Sequence, residues 1–180
     1  LKKITPNEFD IWMRLLTKTK DSILWLKESN SLGINNLRSE AEKRNVDRNR
    51  LIFAKDIPRS QHFARHSLGD LGLDTFAFNG CSTSVFGLWA GMPILTKIGE
   101  SFAARFTASL LYSMGVNELI THSKDEYEEV ALRLANDPNE LLELKSKIRQ
   151  SINSSPLFNS DLFTRDLETK YVELVNRNSF

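Results

Sequence analysis

Short apolar runs separated by helical stretches are the feature that most limits what this chain can fold into. One of them, 22–26 (SILWL), is nearly continuous in apolar residues, as expected for a strand that is buried on both faces, and 50–54 (RLIFA) is another short run. Two more strand-like runs follow at 71–75 and 93–96. Short buried strands that alternate with helices are typical of a parallel sheet covered on both faces. The sequence therefore predicts an α/β fold with a doubly wound parallel sheet.

The helical stretches carry start and stop signals. Thr5, Pro6 and Glu8 form a predicted capping box that opens a helix over 5–16, and Gly115 is placed to end one. The segments 123–126 and 137–140 predict two further helix starts. Other helical segments are predicted at 36–44, at 61–67 behind Pro58, at 86–90, and along the stripes Phe102/Phe106/Leu110, Tyr127/Val130/Ala131/Leu134 and Phe163/Leu167/Tyr171/Leu174. We therefore expect one domain over 1–180, with C-terminal helices at about 123–178.

The beginning of the chain is unusual for this class of fold. Leu1 is not a methionine, and the first predicted element is a helix, whereas doubly wound folds usually begin with a strand. We therefore expect the chain to be a piece of a longer protein, with a first strand upstream of Leu1.

Composition excludes several classes of protein. Lys and Arg number 24 against 23 Asp and Glu, so the net charge of +1 gives no field that favours nucleic acid or an anionic membrane. No apolar run approaches the roughly 18–20 residues of a membrane span. The one cysteine, Cys81, excludes an intramolecular disulfide framework and a Cys-rich zinc site.

Three segments lie where ligands of doubly wound sheets bind, beyond the carboxyl ends of strands and near helix N-termini: 2–4, 55–66 and 79–84. In the third, Gly80 allows close approach of the backbone, and Ser82, Thr83 and Ser84 can present hydroxyls beside free helix N–H groups. That arrangement suits a phosphate. The alternative is that these side chains only cap the helix.

The segment 55–66 holds a second candidate cluster. Arg59, His62, Arg65 and His66 share one face of a helix, so two guanidinium groups and two imidazoles are expected to converge. Such a cluster can bind a phosphorylated ligand while an imidazole stacks on a base. The alternative is a solvated basic face. Lys3, taken alone, has the pattern of a surface lysine.

Other chemistries find weaker support. His62 and His66 have the spacing of a zinc helix, but the intervening residues lack the glutamate of that motif. Cys81 as a nucleophile lacks an obvious orienting partner. Asp70 and Asp74 do not form a DxD motif and are interpreted as belonging to the end of a buried strand.

Several motifs together resemble the protein O-GlcNAc transferase family, including its bacterial and SPINDLY-like members. The central ones are 73–75 (LDT), 79–83 (NGCST) and 88–93 (LWAGMP). The similarity continues at 3–4, 12, 24–26, 50–53, 62–65, 96, 99–100, 104–105, 108–109, 155–159 and 167–171. It covers nearly the whole chain.

The resemblance implies a GT-B glycosyltransferase made of two Rossmann-like halves, with this chain as the C-terminal, UDP-sugar-binding half. It implies a metal-independent, cytoplasmic enzyme that needs no cofactor and moves GlcNAc or a related sugar from a UDP-sugar to Ser or Thr of a protein. An upstream catalytic half and tetratricopeptide repeats would precede Leu1, and the fragment alone would be inactive. Neither nucleic acid nor a membrane is an expected partner.

The resemblance also implies roles by position. Lys3 would contact the donor diphosphate and stabilise the departing UDP. The Arg59 backbone would read the uracil edge, and His62 would stack on the base beside Arg65. In the motif that holds the diphosphate, Ser82 and Thr83 match two threonines.

Two positions depart from the family pattern. Cys81 stands where the family has a histidine, and Phe86 stands where an aspartate is expected to bind the donor ribose. Cysteine is a weak hydrogen-bond partner, and phenylalanine accepts no hydroxyl hydrogen bond. A non-catalytic nucleotide-binding or scaffold relative therefore remains an alternative. An Asn-directed protein glycosyltransferase is the other.

Overall fold

The computed structural model describes residues 2–177. The helices are α1 (Pro6–Lys18), α2 (Ser31–Glu42), α3 (Arg59–Arg65), α4 (Ser82–Trp89), α5 (Phe106–Met114), α6 (Lys124–Asn136), α7 (Pro138–Ser154) and α8 (Ser160–Arg177). The strands are β1 (Leu24–Lys27), β2 (Leu51–Ala54), β3 (Gly72–Leu73), β4 (Ile94–Lys97) and β5 (Ile120–Thr121). Strands and helices alternate up to α6, which confirms the predicted α/β class.

All strand pairs in the described residues are parallel, and they form two sheets. β1 pairs with β2, with Leu24 opposite Leu51, and β3, β4 and β5 form a second sheet in that order. β1 and β3 both line one cavity of about 970 Å³. The β1 edge of the first sheet and the β3 edge of the second sheet therefore face a common space.

The prediction that 22–26 is a strand buried on both faces is wrong. Leu24 is buried, but Ile23 is 58% exposed and Trp25 is 39% exposed. Trp25 lines the cavity between the sheets, so this side chain faces open space rather than a packed core. The strand β5 has only two residues, and the sequence pattern did not predict it.

α1 forms one side of the core. Phe9, Ile11, Trp12 and Leu16 are buried in the cluster that also contains residues of α5 and α6. The predicted capping interaction of Glu8 is present, since the Thr5 N–H donates to Glu8 Oε2 at 3.2 Å. The helix therefore begins next to Lys3.

The predicted caps of the later helices are also present. Gly115 follows α5 in the left-handed conformation, with φ of +68°. Ser123 accepts the Glu126 N–H at the start of α6, and Asp137 accepts the N–H groups of Asn139 and Glu140 in α7. The α6 stripe Tyr127/Val130/Ala131/Leu134 is buried, whereas the α8 stripe Phe163/Leu167/Tyr171/Leu174 is exposed. None of the described helices is both long enough and apolar enough to cross a membrane.

Candidate functional site

The loop between β3 and α4 is built on a buried carboxylate. Asp74, which follows β3, is 6% exposed, and its Oδ1 accepts the N–H groups of Thr75 at 2.9 Å and Gly80 at 2.8 Å. Its Oδ2 accepts the Thr96 hydroxyl of β4 at 3.0 Å. Burial raises the pKa of Asp74, while the hydrogen bonds it accepts act in the opposite direction. The carboxylate holds the loop at the carboxyl end of the strands.

Asn79 fixes the other end of this loop. It is fully buried, its Nδ2 donates to Thr75 O at 2.8 Å, and its Oδ1 accepts the Thr107 N–H of α5 at 3.2 Å. Lys3 Nζ donates to Asn79 O at 2.7 Å and lies 4.1 Å from the centre of the Phe78 ring. The loop therefore brings the Lys3 ammonium to the segment that leads into α4.

The first turn of α4 presents two free hydroxyls. Cys81 occupies the cap position with φ of +45° and makes no side-chain cap hydrogen bond. Ser82 and Thr83 are exposed and lie one and two positions into the helix, so they do not cap it. Their hydroxyls make no hydrogen bond within the part of the chain that the structure describes, which removes support from the capping alternative. Of the helix N–H groups expected to be free beside these hydroxyls, that of Thr83 is not, because it donates to Gly80 O at 3.0 Å.

α3 and the residue that directly follows it bring three predicted residues together. The His62 and His66 rings lie 4.8 Å apart, and His66 Nδ1 is 2.7 Å from His62 O. Arg65 Nη1 donates to Lys55 O at 2.7 Å and so holds the loop that enters α3. Desolvation and the nearby charge of Arg65 lower the pKa of His62, which favours its neutral ring.

Arg59 departs from the predicted cluster. Its guanidinium lies over the Phe63 ring, 5.3 Å from the centre, because Phe63 is the residue one helical turn further along α3. The Phe63 ring packs against Phe86 of α4, with centres 4.3 Å apart. Arg59 therefore lies outside the cavity lining that His62, Arg65 and His66 share, so the predicted convergence of two guanidinium groups and two imidazoles is only partly present. An aromatic contact joins α3 to α4 beside the cluster.

The cavity between the two sheets collects part of the predicted site. Its lining includes His62, Arg65, His66 and Thr83. Of the other predicted residues that the structure describes, Lys3, Arg59, Cys81 and Ser82 lie outside the lining. Helix α3 with the following His66, together with α4, therefore presents an imidazole pair, a guanidinium and a hydroxyl to one space.

Sequence reasoning missed the support of this site. The sequence pattern places Asp74 at the end of a strand and Asn79 within a motif, and it does not predict the partners of either side chain. The available signal was a polar residue directly after a buried strand and another directly before a loop glycine, since such positions meet at one edge of a parallel sheet. Residues 2–177 contain no group of three or more His, Cys, Asp or Glu side chains that could hold a metal ion.

Comparison with known proteins shows which family the chain matches. The model of glycosyl transferase family 41 matches residues 1–167. The chain is 34% identical over 168 residues to a UDP-N-acetylglucosamine–peptide N-acetylglucosaminyltransferase of Caenorhabditis elegans, covering 93% of this chain and 15% of that protein. It is 33% identical to the probable enzyme SEC of Arabidopsis thaliana, covering 98% of this chain and 18% of that protein.

A solved structure is similar as well. A mutant of the Thermobaculum terrenum O-GlcNAc transferase matches with a TM-score of 0.87 and 32% identity, over 94% of this chain and 33% of that one. The chain thus spans less than a fifth of the length of the two curated relatives and a third of the solved chain.

Proposed function

Because the chain belongs to glycosyl transferase family 41, we propose that it is the donor-binding part of a protein O-GlcNAc transferase. The reaction would move GlcNAc or a related sugar from a UDP-sugar to Ser or Thr of a protein. The observation that carries this proposal is that α3 and α4 present His62, Arg65 and Thr83 to one cavity. The relatives named as UDP-N-acetylglucosamine–peptide transferases support the choice of donor.

In this proposal the uridine lies against α3 and the diphosphate against α4. A neutral His62 ring offers a flat surface for the base, and Arg65 lies beside it with its guanidinium held by Lys55 O. The Arg59 backbone at the start of α3 is proposed to contact the uracil edge. The two hydroxyls of Ser82 and Thr83, together with the α4 dipole, suit the diphosphate.

Lys3 is proposed to assist the leaving group. When the bond between the sugar and the β-phosphate breaks, negative charge grows on the departing UDP, and a nearby ammonium stabilises it. Lys3 Nζ donates a hydrogen bond to Asn79 O, next to the segment that leads into α4, and this position supports the role. The Cys81 thiol in the same turn is a weaker hydrogen-bond partner than an imidazole.

The proposal extends to the longer protein. It includes one UDP-sugar-binding domain over 1–180, an upstream catalytic half, tetratricopeptide repeats and a protein acceptor. The chain spans only a small share of each relative, which supports the presence of further segments. The isolated chain is then expected to bind donor without transferring sugar. A cytoplasmic location remains a prediction.

Titration of the chain with UDP tests donor binding. We expect UDP to bind in preference to ADP, and His62→Ala to weaken UDP binding by about tenfold, as for the loss of one stacked base. His122→Ala, an exposed histidine before α6, is the matched control and should leave binding unchanged. Equal affinity for UDP and ADP, or no effect of His62→Ala, would contradict the proposal.

A second candidate function is a non-catalytic nucleotide-binding relative. Phe86 supports it, because this side chain packs on Phe63 and offers no acceptor for a ribose hydroxyl. A transfer assay on the longer protein separates the two candidates, since only an enzyme yields glycosylated peptide from UDP-GlcNAc. Mass spectrometry of that product also distinguishes Ser or Thr from Asn as the acceptor.

A further inference from the structure

The loop 74–80 contains two buried polar side chains that the donor-binding proposal does not use. Asp74 is 6% exposed and Asn79 is fully buried. Neither reaches the surface where a ligand would lie. Burying a carboxylate and an amide is costly unless they serve as fixed hydrogen-bond partners, and both do.

Asp74 connects the sheet to the residue just before Cys81. One oxygen accepts the Gly80 N–H at 2.8 Å, and the other accepts the Thr96 hydroxyl of β4 at 3.0 Å. Oδ1 also accepts the Thr75 N–H at 2.9 Å, which closes the loop on itself. The position of Gly80 is therefore set by the central strand of the β3–β4–β5 sheet.

Gly80 in turn sets the first turn of α4. Its carbonyl accepts the Thr83 N–H at 3.0 Å. Cys81 follows with φ of +45°, a conformation that non-glycine residues adopt only when their surroundings hold them. A shift of Gly80 would therefore move the hydroxyls of Ser82 and Thr83.

The same loop carries Lys3. Asn79 O accepts Lys3 Nζ at 2.7 Å, and Asn79 Nδ2 is tied back to Thr75 O at 2.8 Å. Thr75 is itself held by Asp74 through its N–H. One carboxylate thus supports both the hydroxyl pair of α4 and the carbonyl that holds the ammonium.

We propose that Asp74 is the positioning residue of the diphosphate site, which aligns the first turn of α4 and Lys3 through Gly80 and Asn79. The inference rests on the proposed function, because it assumes that the diphosphate binds at this turn. Asp74 does not touch the ligand and acts only through the loop.

Three variants test the inference by UDP titration, each at a temperature where the variant is folded. Asp74→Ala leaves the Gly80 and Thr75 N–H groups without their acceptor, and we expect it to weaken UDP binding by about tenfold or more. Asp74→Asn keeps an oxygen for the two N–H groups and can donate to the Thr96 hydroxyl. It should therefore restore affinity to within about threefold of the wild type.

Thr121→Val is the control for a purely structural effect. Thr121 is buried in β5, and its hydroxyl donates to Thr96 O at 3.0 Å without touching the loop. It should lower the free energy of unfolding and leave UDP affinity unchanged. A folded Asp74→Ala that binds UDP as the wild type does, or a Thr121→Val that weakens binding as much as Asp74→Ala, would overturn the positioning role alone.

Two further results complete the test. If the wild-type chain binds no UDP, the proposed function fails and the inference fails with it. If Asp74→Ala does not fold, NMR of the wild-type chain decides. UDP should then shift the amide signals of Gly80 and Thr75 together with those of Ser82 and Thr83, and a shift confined to Ser82 and Thr83 would overturn the inference.

Discussion

Arg50 closes the turn between α1 and β1 with a single guanidinium. Its Nη1 donates to Leu16 O at 2.7 Å, its Nη2 to Thr19 O at 2.6 Å and its Nε to Ser22 O at 2.9 Å. Leu16 and Thr19 lie at the C-terminal end of α1, where helix carbonyls have no intrahelical donor. A charged donor there satisfies three backbone acceptors at once.

Replacing Arg50 should therefore destabilise the fold. We expect Arg50→Met to lower the free energy of unfolding by about 1–3 kcal/mol, the usual cost of leaving partly buried acceptors unpaired. Arg48→Met is the control, since Arg48 is half-exposed and its ion pair with Glu42 is long, with 3.6 Å between Arg48 Nη1 and Glu42 Oε1. Its loss should cost less than about 0.5 kcal/mol in the same urea titration. Equal losses for the two variants would contradict the account of Arg50.

Because Phe86 has no hydrogen-bond acceptor in its side chain, we predict that the donor site does not recognise a ribose hydroxyl at this position. Its ring packs against Phe63, so an apolar pair lies between the α3 and α4 parts of the proposed site. We expect UDP and 2′-deoxy-UDP to bind the wild-type chain with affinities within about threefold, because no buried acceptor is left unpaired by the missing hydroxyl. Phe86→Asp should favour UDP by about tenfold.

The control for Phe86→Asp is Phe102→Asp, since Phe102 is 84% exposed and packs on α5. It should not change the ratio of the two affinities. A wild-type chain that already prefers UDP strongly would mean that another residue recognises the ribose.

Asp74 also predicts how stability depends on pH. Burial raises its pKa in the folded chain above the ordinary value of 3.8, so at a pH between the unfolded and folded pKa values the folded state binds more protons than the unfolded state. The contribution of Asp74 to the free energy of unfolding is therefore fully present below pH 3.8, and it is lost as the pH rises through the folded pKa. Asp74→Asn cannot ionise, so its stability relative to the wild type should increase from pH 3 to pH 7 in urea titrations. A relative stability that decreases over this range would show that the hydrogen bonds outweigh the burial of the charge.

At the scale of elements, helix ends were more predictable than strand environments. Caps depend on a few adjacent residues, so Asp137 and Gly115 could be placed from local sequence. The exposure of Trp25 depends on what covers β1, which is a property of distant segments. The supporting roles of Asp74 and Asn79 were missed for the same reason, because their partners Thr96 and Thr107 lie 22 and 28 residues away.

The helices α6 and α8 have similar apolar stripes and different surroundings. Leu134 in α6 is 1% exposed, whereas Leu174 in α8 is 53% exposed. We expect Leu134→Ala to lower the free energy of unfolding by about 2–5 kcal/mol and Leu174→Ala by less than about 0.5 kcal/mol. Thermal unfolding of the two variants measures the difference. A comparable loss for Leu174→Ala would show that the α8 stripe is covered in solution, for instance by a second copy of the chain.

At the scale of the whole molecule, the alternation of apolar runs and helices predicts the α/β class. It does not predict that the strands in the described residues form two separate sheets. Pairing between strands is set by long-range contacts, and four-residue strands carry little information about their neighbours. The described residues leave β1 and β3 each with one paired edge, and both strands face the same cavity.

Backbone alternation identifies which amides face that cavity. Glu28 N donates to Ala54 O, so alternate residues Leu26 and Leu24 point their N–H groups towards β2, and those of Trp25 and Lys27 point away. In β3, the Gly72 N–H donates to Pro93 O, which leaves the Leu73 N–H on the cavity side. Each paired amide thus has an unpaired one beside it.

Hydrogen exchange should separate these neighbours. We expect the amides of Trp25, Lys27 and Leu73 to exchange at least about tenfold faster than those of Leu26 and Gly72, because exchange from an unpaired amide needs no local opening. Two-dimensional NMR after transfer to D₂O measures each rate in one sample, so the paired amides serve as internal controls. Slow exchange at all five positions would mean that another extended segment occupies the space between β1 and β3. A strand inserted there, parallel to both, would join the two sheets into one, since it would pair with the free edge of each.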